Sequence, residues 1–171
     1  NSTEIGNGIL VNTVWAYANS FSTLGSMVNM LYVSDNGGDR IVKLDPPGNL
    51  LGTIDLKLIG KADTLFVDYY GQYIYITDSQ ACVVRKIDQS GTVNLVFGNK
   101  QILNNPRGVT LDENYNLWVV NKGNNTLVQF DPVGNFIREV GKGYLNSPSD
   151  SVVEFSTDNI CVGDTMNKRI V

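Results

Sequence analysis

A pattern that repeats every 43 residues limits this chain to a small set of architectures. The segment LYVSD at residues 31–35 recurs as IYITD at 74–78, as LWVVN at 117–121 and as ICVGD at 160–164. A second segment keeps the same phase, with IVKLD at 41–45, VRKID at 84–88, LVQFD at 127–131 and IV at 170–171. A fixed period of this length is typical of proteins in which one small structural unit is stacked several times. The sequence therefore predicts about four copies of one unit.

Within each copy the apolar residues alternate with other residues, which is the period of a β-strand rather than that of a helix. Glycine, asparagine and aspartate residues divide each copy into four such runs. A turn signal separates the third and fourth runs, as in Asp131-Pro132-Val133-Gly134. Proline favours the second position of such a turn, and glycine tolerates a positive φ. Each copy is therefore predicted to be a four-stranded antiparallel sheet.

A four-stranded sheet of this size cannot bury both of its faces alone, so it must pack against further copies. Stacking around an axis gives a β-propeller, whereas a linear solenoid would expose long strand edges and an apolar face at each end. We therefore predict an all-β propeller in a single domain. Its blades are expected at residues 18–55, 62–97, 106–140 and 149–171, the last being incomplete, and residues 9–15 are a candidate strand for closing the ring.

The composition excludes several classes of function. The 171 residues are 42% apolar and 18% charged, and 13 basic against 17 acidic side chains give a net charge of -4. This excess of negative charge disfavours a general nucleic-acid binder. No apolar run approaches the roughly 20 residues that a membrane-spanning helix needs. The chain has no histidine, which removes Ser-His-Asp and Cys-His catalytic groups and histidine-ligated zinc sites.

Cysteine usage and sequence triplets bear on the compartment. Cys82 and Cys161 occupy different positions of the repeat, so they are predicted to be free thiols. The sequence begins without Met and without a signal segment, as expected of a processed, excised or partial chain. Glycosylation triplets begin at Asn1 and Asn124. Together with the acidic balance, these triplets favour an extracellular or cell-surface protein.

The run DTMNKRIV at 164–171 resembles the signature of NHL repeats, in which an aspartate after one strand precedes by five residues an arginine that opens the next. The run DNGGDRIV at 35–42 matches equally well, and Pro106-Arg107-Gly108-Val109 is similar to the opening of the family's innermost strand. The second and third copies depart from the signature, with Val83 and Thr126 in place of the arginine. The resemblance covers about residues 18–171 and implies blades that usually close as a six-bladed ring. A segment of such a ring is therefore favoured over a complete four-bladed one.

A carboxylate or carboxamide ends the second run of every copy, which could form a ring of metal ligands or a set of turn caps. We favour turn caps, because a carboxylate that accepts backbone N–H hydrogen bonds explains the repetition without a ligand. The signature arginines are then expected to pair with such an aspartate. The positions with these structural roles are Asp35, Arg40, Asp78, Asn121, Asp164 and Arg169.

Loops that enter the innermost strands are expected to meet at one mouth of the propeller, where such folds usually bind ligands. Several cations and a tyrosine fall in these loops. They could hold an acidic peptide or a glycan, and the alternative is that they are ordinary solvated side chains. These candidate binding residues are Lys61, Lys100, Arg107, Lys142 and Tyr144.

We therefore predict a non-catalytic propeller that binds or assembles with a protein or a glycan, needs no cofactor, and can self-associate through open strand edges. The first alternative is a calcium-dependent, lactonase-like hydrolase. Such propellers use oxygen ligands at the channel mouth, for which Asp63 and Asp150 are the candidates, although Arg107 lies at a matching place and would repel a cation. The second alternative is an RNA-binding NHL domain, which the negative charge disfavours.

Overall fold

A computed structural model describes residues 13–23, 26–35, 37–154, 157 and 159–171, with side chains from residue 30 onward. Within these ranges the chain forms fifteen β-strands and two short 3-10 turns, Lys122–Asn124 and Thr165–Asn167. None of the described segments is a helix long and apolar enough to span a membrane. The strands form four antiparallel sheets, and in each sheet consecutive strands are neighbours.

The first sheet contains β1 (Thr13–Thr23), β2 (Ser26–Asp35), β3 (Arg40–Leu44) and β4 (Leu50–Asp55). The second contains β5 (Thr64–Val67), β6 (Tyr73–Asp78), β7 (Val83–Asp88) and β8 (Val93–Phe97). The third contains β9 (Pro106–Leu111), β10 (Leu117–Asn121), β11 (Thr126–Phe130) and β12 (Phe136–Val140). The fourth contains β13 (Ser151–Glu154), β14 (Asn159–Asp164) and β15 (Arg169–Ile170).

The N-terminal end of the first sheet differs from the sequence prediction. Residues 9–15 were expected to close the ring beside the last blade. Thr13 instead pairs with Asp35, so the described part of that segment opens β1 beside β2. The prediction of a closing strand is wrong for residues 13–15, because the β1–β2 ladder extends from the pair Thr23 and Ser26 to this point. Residues 9–12 lie outside the described ranges.

The turn between the third and fourth strands has the same geometry in the first three sheets. In each, the N–H of a glycine donates to the carbonyl of the aspartate three residues earlier, at 2.9 Å for Gly48 and 3.0 Å for Gly91 and Gly134. The three glycines have φ values of 97°, 91° and 96°, which favour a residue without a Cβ. The aspartate side chains cap the turn, as when Asp131 Oδ1 accepts the N–H of Asn135 at 2.8 Å.

The core consists of buried clusters between successive sheets. The cluster between the first and second sheets contains Tyr32, Ile41, Ile54, Leu56, Ala62, Leu65, Val67, Ile74, Ile76 and Ile87. The cluster between the second and third contains Phe66, Tyr75, Val84, Phe97, Leu103, Val109, Leu111, Leu117, Val119, Val128 and Phe130. The cluster between the third and fourth contains Trp118, Val120, Leu127, Leu145 and Val162.

The sheets converge on one axis. The first strand of each sheet contacts the first strand of the next, since β5 contacts β1, β9 contacts β5 and β13 contacts β9. Sheets that contact each other at their first strands are arranged around an axis, as in a propeller, and not in a straight row. The prediction of an all-β propeller built from about four antiparallel blades is confirmed. Both cysteines are free thiols.

Candidate functional site

One face of the propeller is formed by the loops between sheets and by the turns between the second and third strands of each sheet. We call it the loop face. Its described residues are 56–63, 98–105 and 141–150 in the loops, and 37–39, 79–82, 122–125 and 165–168 in the turns. These two sets of segments touch, because Gly123 N donates to the carbonyl of Asn104 at 2.9 Å and Met166 N donates to that of Asn146 at 3.1 Å. The turns between third and fourth strands lie at the opposite face, since each strand runs antiparallel to its neighbour.

The three loops between sheets begin with the same hydrogen-bonded turn. The carbonyls of Leu56, Asn99 and Gly141 each accept N–H groups from the third and fourth residues that follow, at 2.8–3.0 Å. In the second and third loops the fourth residue is a buried leucine, Leu103 or Leu145. These turns fix the direction of the residues at their tips.

The second residue of this turn is a lysine in all three loops, namely Lys57, Lys100 and Lys142. All three side chains are exposed, and none forms an ion pair or a side-chain hydrogen bond within the described part of the chain. The sequence prediction included Lys100 and Lys142 but missed Lys57. The 43-residue spacing between Lys57 and Lys100 is the signal that could have found it.

Lys61, which the sequence prediction grouped with these lysines, lies elsewhere in its loop and has a partner. Its Nζ donates to Asp39 Oδ1 at 2.7 Å, which links the second blade to the first. This hydrogen bond and the charge of Asp39 raise the pKa of Lys61. Lys57 and Lys61 also line a groove of about 470 Å³ between the first two blades, together with Leu56 and Gln80.

The carboxylate or carboxamide at the end of the second strand holds the incoming loop. Asn121 Oδ1 accepts the N–H of Asn104, and Asp164 Oδ1 accepts the N–H of Asn146, both at 2.7 Å. Asp78 Oδ2 accepts the N–H of Lys61 at 3.3 Å in the same way. These contacts between a strand end and a loop occur in the second, third and fourth blades and occupy side chains that a metal ring would need.

The signature arginines lie beside these aspartates. Arg40 Nε is 3.0 Å from Asp35 Oδ2, and Arg169 Nε is 2.8 Å from Asp164 Oδ2. Burial would raise the pKa of Asp164, but the N–H of Asn146 and the Arg169 guanidinium outweigh it and lower that pKa. Asp164 is therefore a charged component of the fourth blade.

Two blades lack the signature arginine and use a substitute. In the second blade, Arg85 Nη1 reaches Asp78 Oδ2 at 2.9 Å from a position two residues after Val83. In the third blade Asn121 replaces the aspartate and Thr126 replaces the arginine, so neither position is charged. Glu139 Oε1 accepts hydrogen bonds from Thr126 at 2.6 Å and from Asn121 at 3.4 Å. Because residues two apart on a strand share a face, Arg85 could have been foreseen from the sequence.

Arg107 faces an acidic partner instead of open solvent. Its Nη1 lies 3.8 Å from Asp63 Oδ1, and Asp63 Oδ2 also accepts the N–H of Ser79 at 2.8 Å. The backbone carbonyl of Arg107 accepts a hydrogen bond from Thr64 Oγ1 at 3.0 Å. Arg107 therefore joins the second and third blades, and its charge is compensated locally.

Asp150, the second candidate metal ligand, lies in a separate environment. It lines a cavity of about 190 Å³ near the first strands, together with Phe66, Tyr69 and Thr110. Burial raises the pKa of Asp150, against the opposing hydrogen bond from its neighbour's N–H. Asp63 does not line this cavity. Within the described ranges, no group of three or more candidate ligand side chains is placed to hold a metal ion.

Tyr144 lies at the tip of the third loop, and its side chain is 58% exposed. The Arg169 guanidinium packs over its ring at 4.2 Å from the centroid, and Arg169 Nη2 donates to the Tyr144 carbonyl at 2.9 Å. Asn167 Nδ2 donates to the same carbonyl at 3.3 Å. Tyr144 is therefore held in place two residues from Lys142.

The loop face carries further lysines. Lys122 and Lys168 lie in the turns between the second and third strands, and neither has an ion pair in the described part of the chain. The opposite face carries aspartates at its turns, where hydrogen bonds from Asn49, Ser90 and Asn135 lower the pKa values of Asp45, Asp88 and Asp131. The two faces therefore differ in charge although the whole chain is acidic.

The glycosylation triplets fall in two different settings. Asn124 is exposed on the loop face, where its Oδ1 accepts a hydrogen bond from Asn104 Nδ2 at 3.2 Å. Asn1 lies outside the described residues.

The sequence has no significant match among family models or curated proteins. Its structure is similar to virginiamycin B lyase from Staphylococcus aureus (TM-score 0.67, 14% identity, 94% of this chain and 54% of that one). It is also similar to a nidogen/laminin complex (0.70, 20%, 88% and 56%) and to an auxiliary nutrient binding protein from Bacteroides thetaiotaomicron (0.66, 13%, 93% and 47%). These neighbours are β-propellers. The chain has the same fold and spans about half their length. At these identities the similarity shows the fold alone, and membership of the NHL family stays a prediction.

Proposed function

We propose that this chain is a non-catalytic propeller module that binds an acidic protein partner through the lysines of the loop face. The observation that carries the proposal is the recurrence of an exposed lysine, free of any described acidic partner, at one turn position in three successive loops: Lys57, Lys100 and Lys142. Their turns are held by two backbone hydrogen bonds each, so the charges are presented at repeated positions and not on flexible tails.

Electrostatics supports a binding role for this face. Arg40, Lys61, Arg85, Arg107 and Arg169 each have a carboxylate partner, so their charges are largely compensated. The free lysines are what remains to attract a partner. A cluster of one sign speeds encounter with a surface of the opposite sign and orients it.

The partner is proposed to be a protein because an exposed tyrosine accompanies the lysines. Tyr144 offers a fixed aromatic surface beside Lys142, and aromatic residues next to cations are common at the centre of protein interfaces. The propeller neighbours include a binding protein and a component of a nidogen/laminin complex, which is compatible with this role. We place the protein outside the cell, and the exposed position of Asn124 supports this location.

Fluorescence anisotropy with labelled polyglutamate as the probe tests the proposal. The triple variant Lys57→Gln, Lys100→Gln, Lys142→Gln is expected to weaken binding by about tenfold or more at low salt, and salt should weaken wild-type binding. The matched control adds the same net negative charge on the opposite face, at the equivalent third residues of three turns: Pro47→Glu, Ser90→Glu, Val133→Glu. It should stay within about threefold of the wild type.

An equal loss of polyglutamate affinity in the two triple variants would mean that net charge, and not the loop face, decides binding. Failure of wild type to bind polyglutamate at low salt would also overturn the proposal. A heparin arm distinguishes the class of partner, since tighter binding to heparin than to polyglutamate at equal charge would replace the acidic protein by an acidic glycan.

A further inference from the structure

One face of the fourth sheet is apolar and open. Val152 on β13 and Ile170 on β15 are 60% and 79% exposed, and Cys161 lies on the strand between them. Val152 is the cross-strand partner of Cys161, so their side chains share this face. Together with Asp150 and Gly163 they line a shallow pocket of about 180 Å³.

The same row of positions is covered in the other sheets. Strand pairing and the 43-residue repeat identify the equivalent residues in the earlier blades. These residues pack against the following sheet, and every described one is at most 8% exposed. The row consists of Tyr32 and Ile41 in the first sheet, Phe66, Tyr75 and Val84 in the second, and Thr110, Trp118 and Leu127 in the third. The row of Val152, Cys161 and Ile170 is its fourth copy.

Each interface between blades joins this outward row to an inward row on the next sheet. The inward rows contain Leu65 and Ile76 in the second sheet, Val109 and Val119 in the third, and Val162 in the fourth, and all are buried. On the first sheet the corresponding residues Val33, Val42 and Leu44 are also at most 2% exposed. Because these inward rows are already buried, a second copy of the chain has no exposed inward row, among the described residues, that could pack on the open face.

We propose that the open face of the fourth sheet is an interface between blades, and that its occupant is a further four-stranded blade of the same polypeptide, formed by residues after Val171. The three interfaces already present continue into this face with the same positions. A blade placed there would cover Ile170 as the fourth sheet covers Leu127.

Alanine substitutions in the complete natural polypeptide test this inference. If a further blade covers the face, Ile170→Ala lowers the urea midpoint about as much as Leu127→Ala, its equivalent one repeat earlier. Met166→Ala is the control, because Met166 is 65% exposed on a turn near β15. If Ile170→Ala instead matches Met166→Ala, the face is solvent-exposed and the inference is wrong.

Thiol labelling gives a second readout that does not depend on stability. In a Cys82→Ser background, Cys161 of the complete polypeptide should react with a maleimide at least about tenfold more slowly in the native state than in urea. Reaction at the unfolded rate contradicts the inference. Protection that disappears on dilution, together with a dimer mass in light scattering, would assign the face to a second copy and would equally overturn it. These outcomes are independent of polyglutamate binding.

Discussion

Gly108 of the third blade lies directly against the backbone of Asp150 in the fourth. A Cβ added at Gly108 would lie 2.6 Å from Asp150 Cα and 3.0 Å from Ser151 N, which are backbone atoms that cannot turn away. Gly108 N also donates to the carbonyl of Ser149 at 3.2 Å. The third and fourth blades can therefore approach this closely because residue 108 has no side chain.

Gly108→Ala is expected to destabilise the protein by about 1–3 kcal/mol, because the added methyl group forces the two blades apart. Gly52→Ala is the matched control, since a Cβ at Gly52 on β4 meets no atom within 4 Å. The control should change stability by less than about 0.5 kcal/mol. Urea unfolding measures both, and a similar loss in the two variants would contradict the close approach at Gly108.

Asp150→Asn is expected to stabilise the protein at neutral pH. Burial raises the pKa of Asp150 in the folded state, so the neutral acid is favoured more in the folded protein than in the unfolded chain. Stability therefore falls as pH rises from the unfolded pKa through the folded one. Asparagine keeps an oxygen that can accept the N–H of Ser151 but carries no charge. The gain in melting temperature should therefore be present at about pH 7 and vanish at about pH 3. A gain that is independent of pH would contradict this account.

Asp78→Asn is expected to show the opposite dependence on pH. Burial acts to raise the pKa of Asp78, but the N–H of Ala81 and the Arg85 guanidinium outweigh it, so the folded-state pKa is lowered. The carboxylate therefore contributes stability above its unfolded pKa, and this contribution is lost as pH falls through the folded pKa. The variant should lose about 1–3 kcal/mol at about pH 7 and little at about pH 2, as measured by urea unfolding.

The 43-residue repeat predicted the blades, but it did not predict the side-chain contacts between them. LYVSD and its copies predicted the second strands and their terminal acids because these features depend on residues close in sequence. The partner of Lys61 is Asp39, 22 residues away on another blade, and nothing in either local sequence indicates that they meet. Lys57, in contrast, lies one full 43-residue period before Lys100, so its equivalence to Lys100 could have been found from the repeat alone.

The start of the first sheet was missed for a related reason. The segment TVWAYANSFST forms an 11-residue strand, but it lacks the turn and glycine signals that mark the first strands of the later copies. Its pairing with β2 runs from Thr23 and Ser26 to Thr13 and Asp35 and does not follow from the period. Periodicity therefore places elements that resemble their copies and gives little guidance where one copy has been altered.

Phe97→Ala is expected to cost about 3–5 kcal/mol, because Phe97 is 1% exposed and its ring lies 5.9 Å from that of Phe130 and 6.1 Å from that of Tyr75. Phe136→Ala is a control of the same residue type. Phe136 also contacts Phe130, with ring centroids 6.3 Å apart, but it is 48% exposed on the outermost strand. Phe136→Ala should lower the free energy of unfolding by about 1 kcal/mol. If urea unfolding gave equal decreases for the two variants, the interface would not be packed as described.

Lys57→Gln and Lys61→Gln separate two lysines that lie four residues apart in one loop. Lys61 is held by Asp39, so its removal frees a carboxylate, whereas Lys57 has no described acidic partner. We expect Lys57→Gln to weaken polyglutamate binding by about threefold at low salt, with a shallower salt dependence. The double variant Lys61→Gln, Asp39→Asn removes the ion pair without changing net charge and should bind within about twofold of wild type. Stronger loss in that double variant than in Lys57→Gln, measured by anisotropy, would place the binding surface at the ion pair instead.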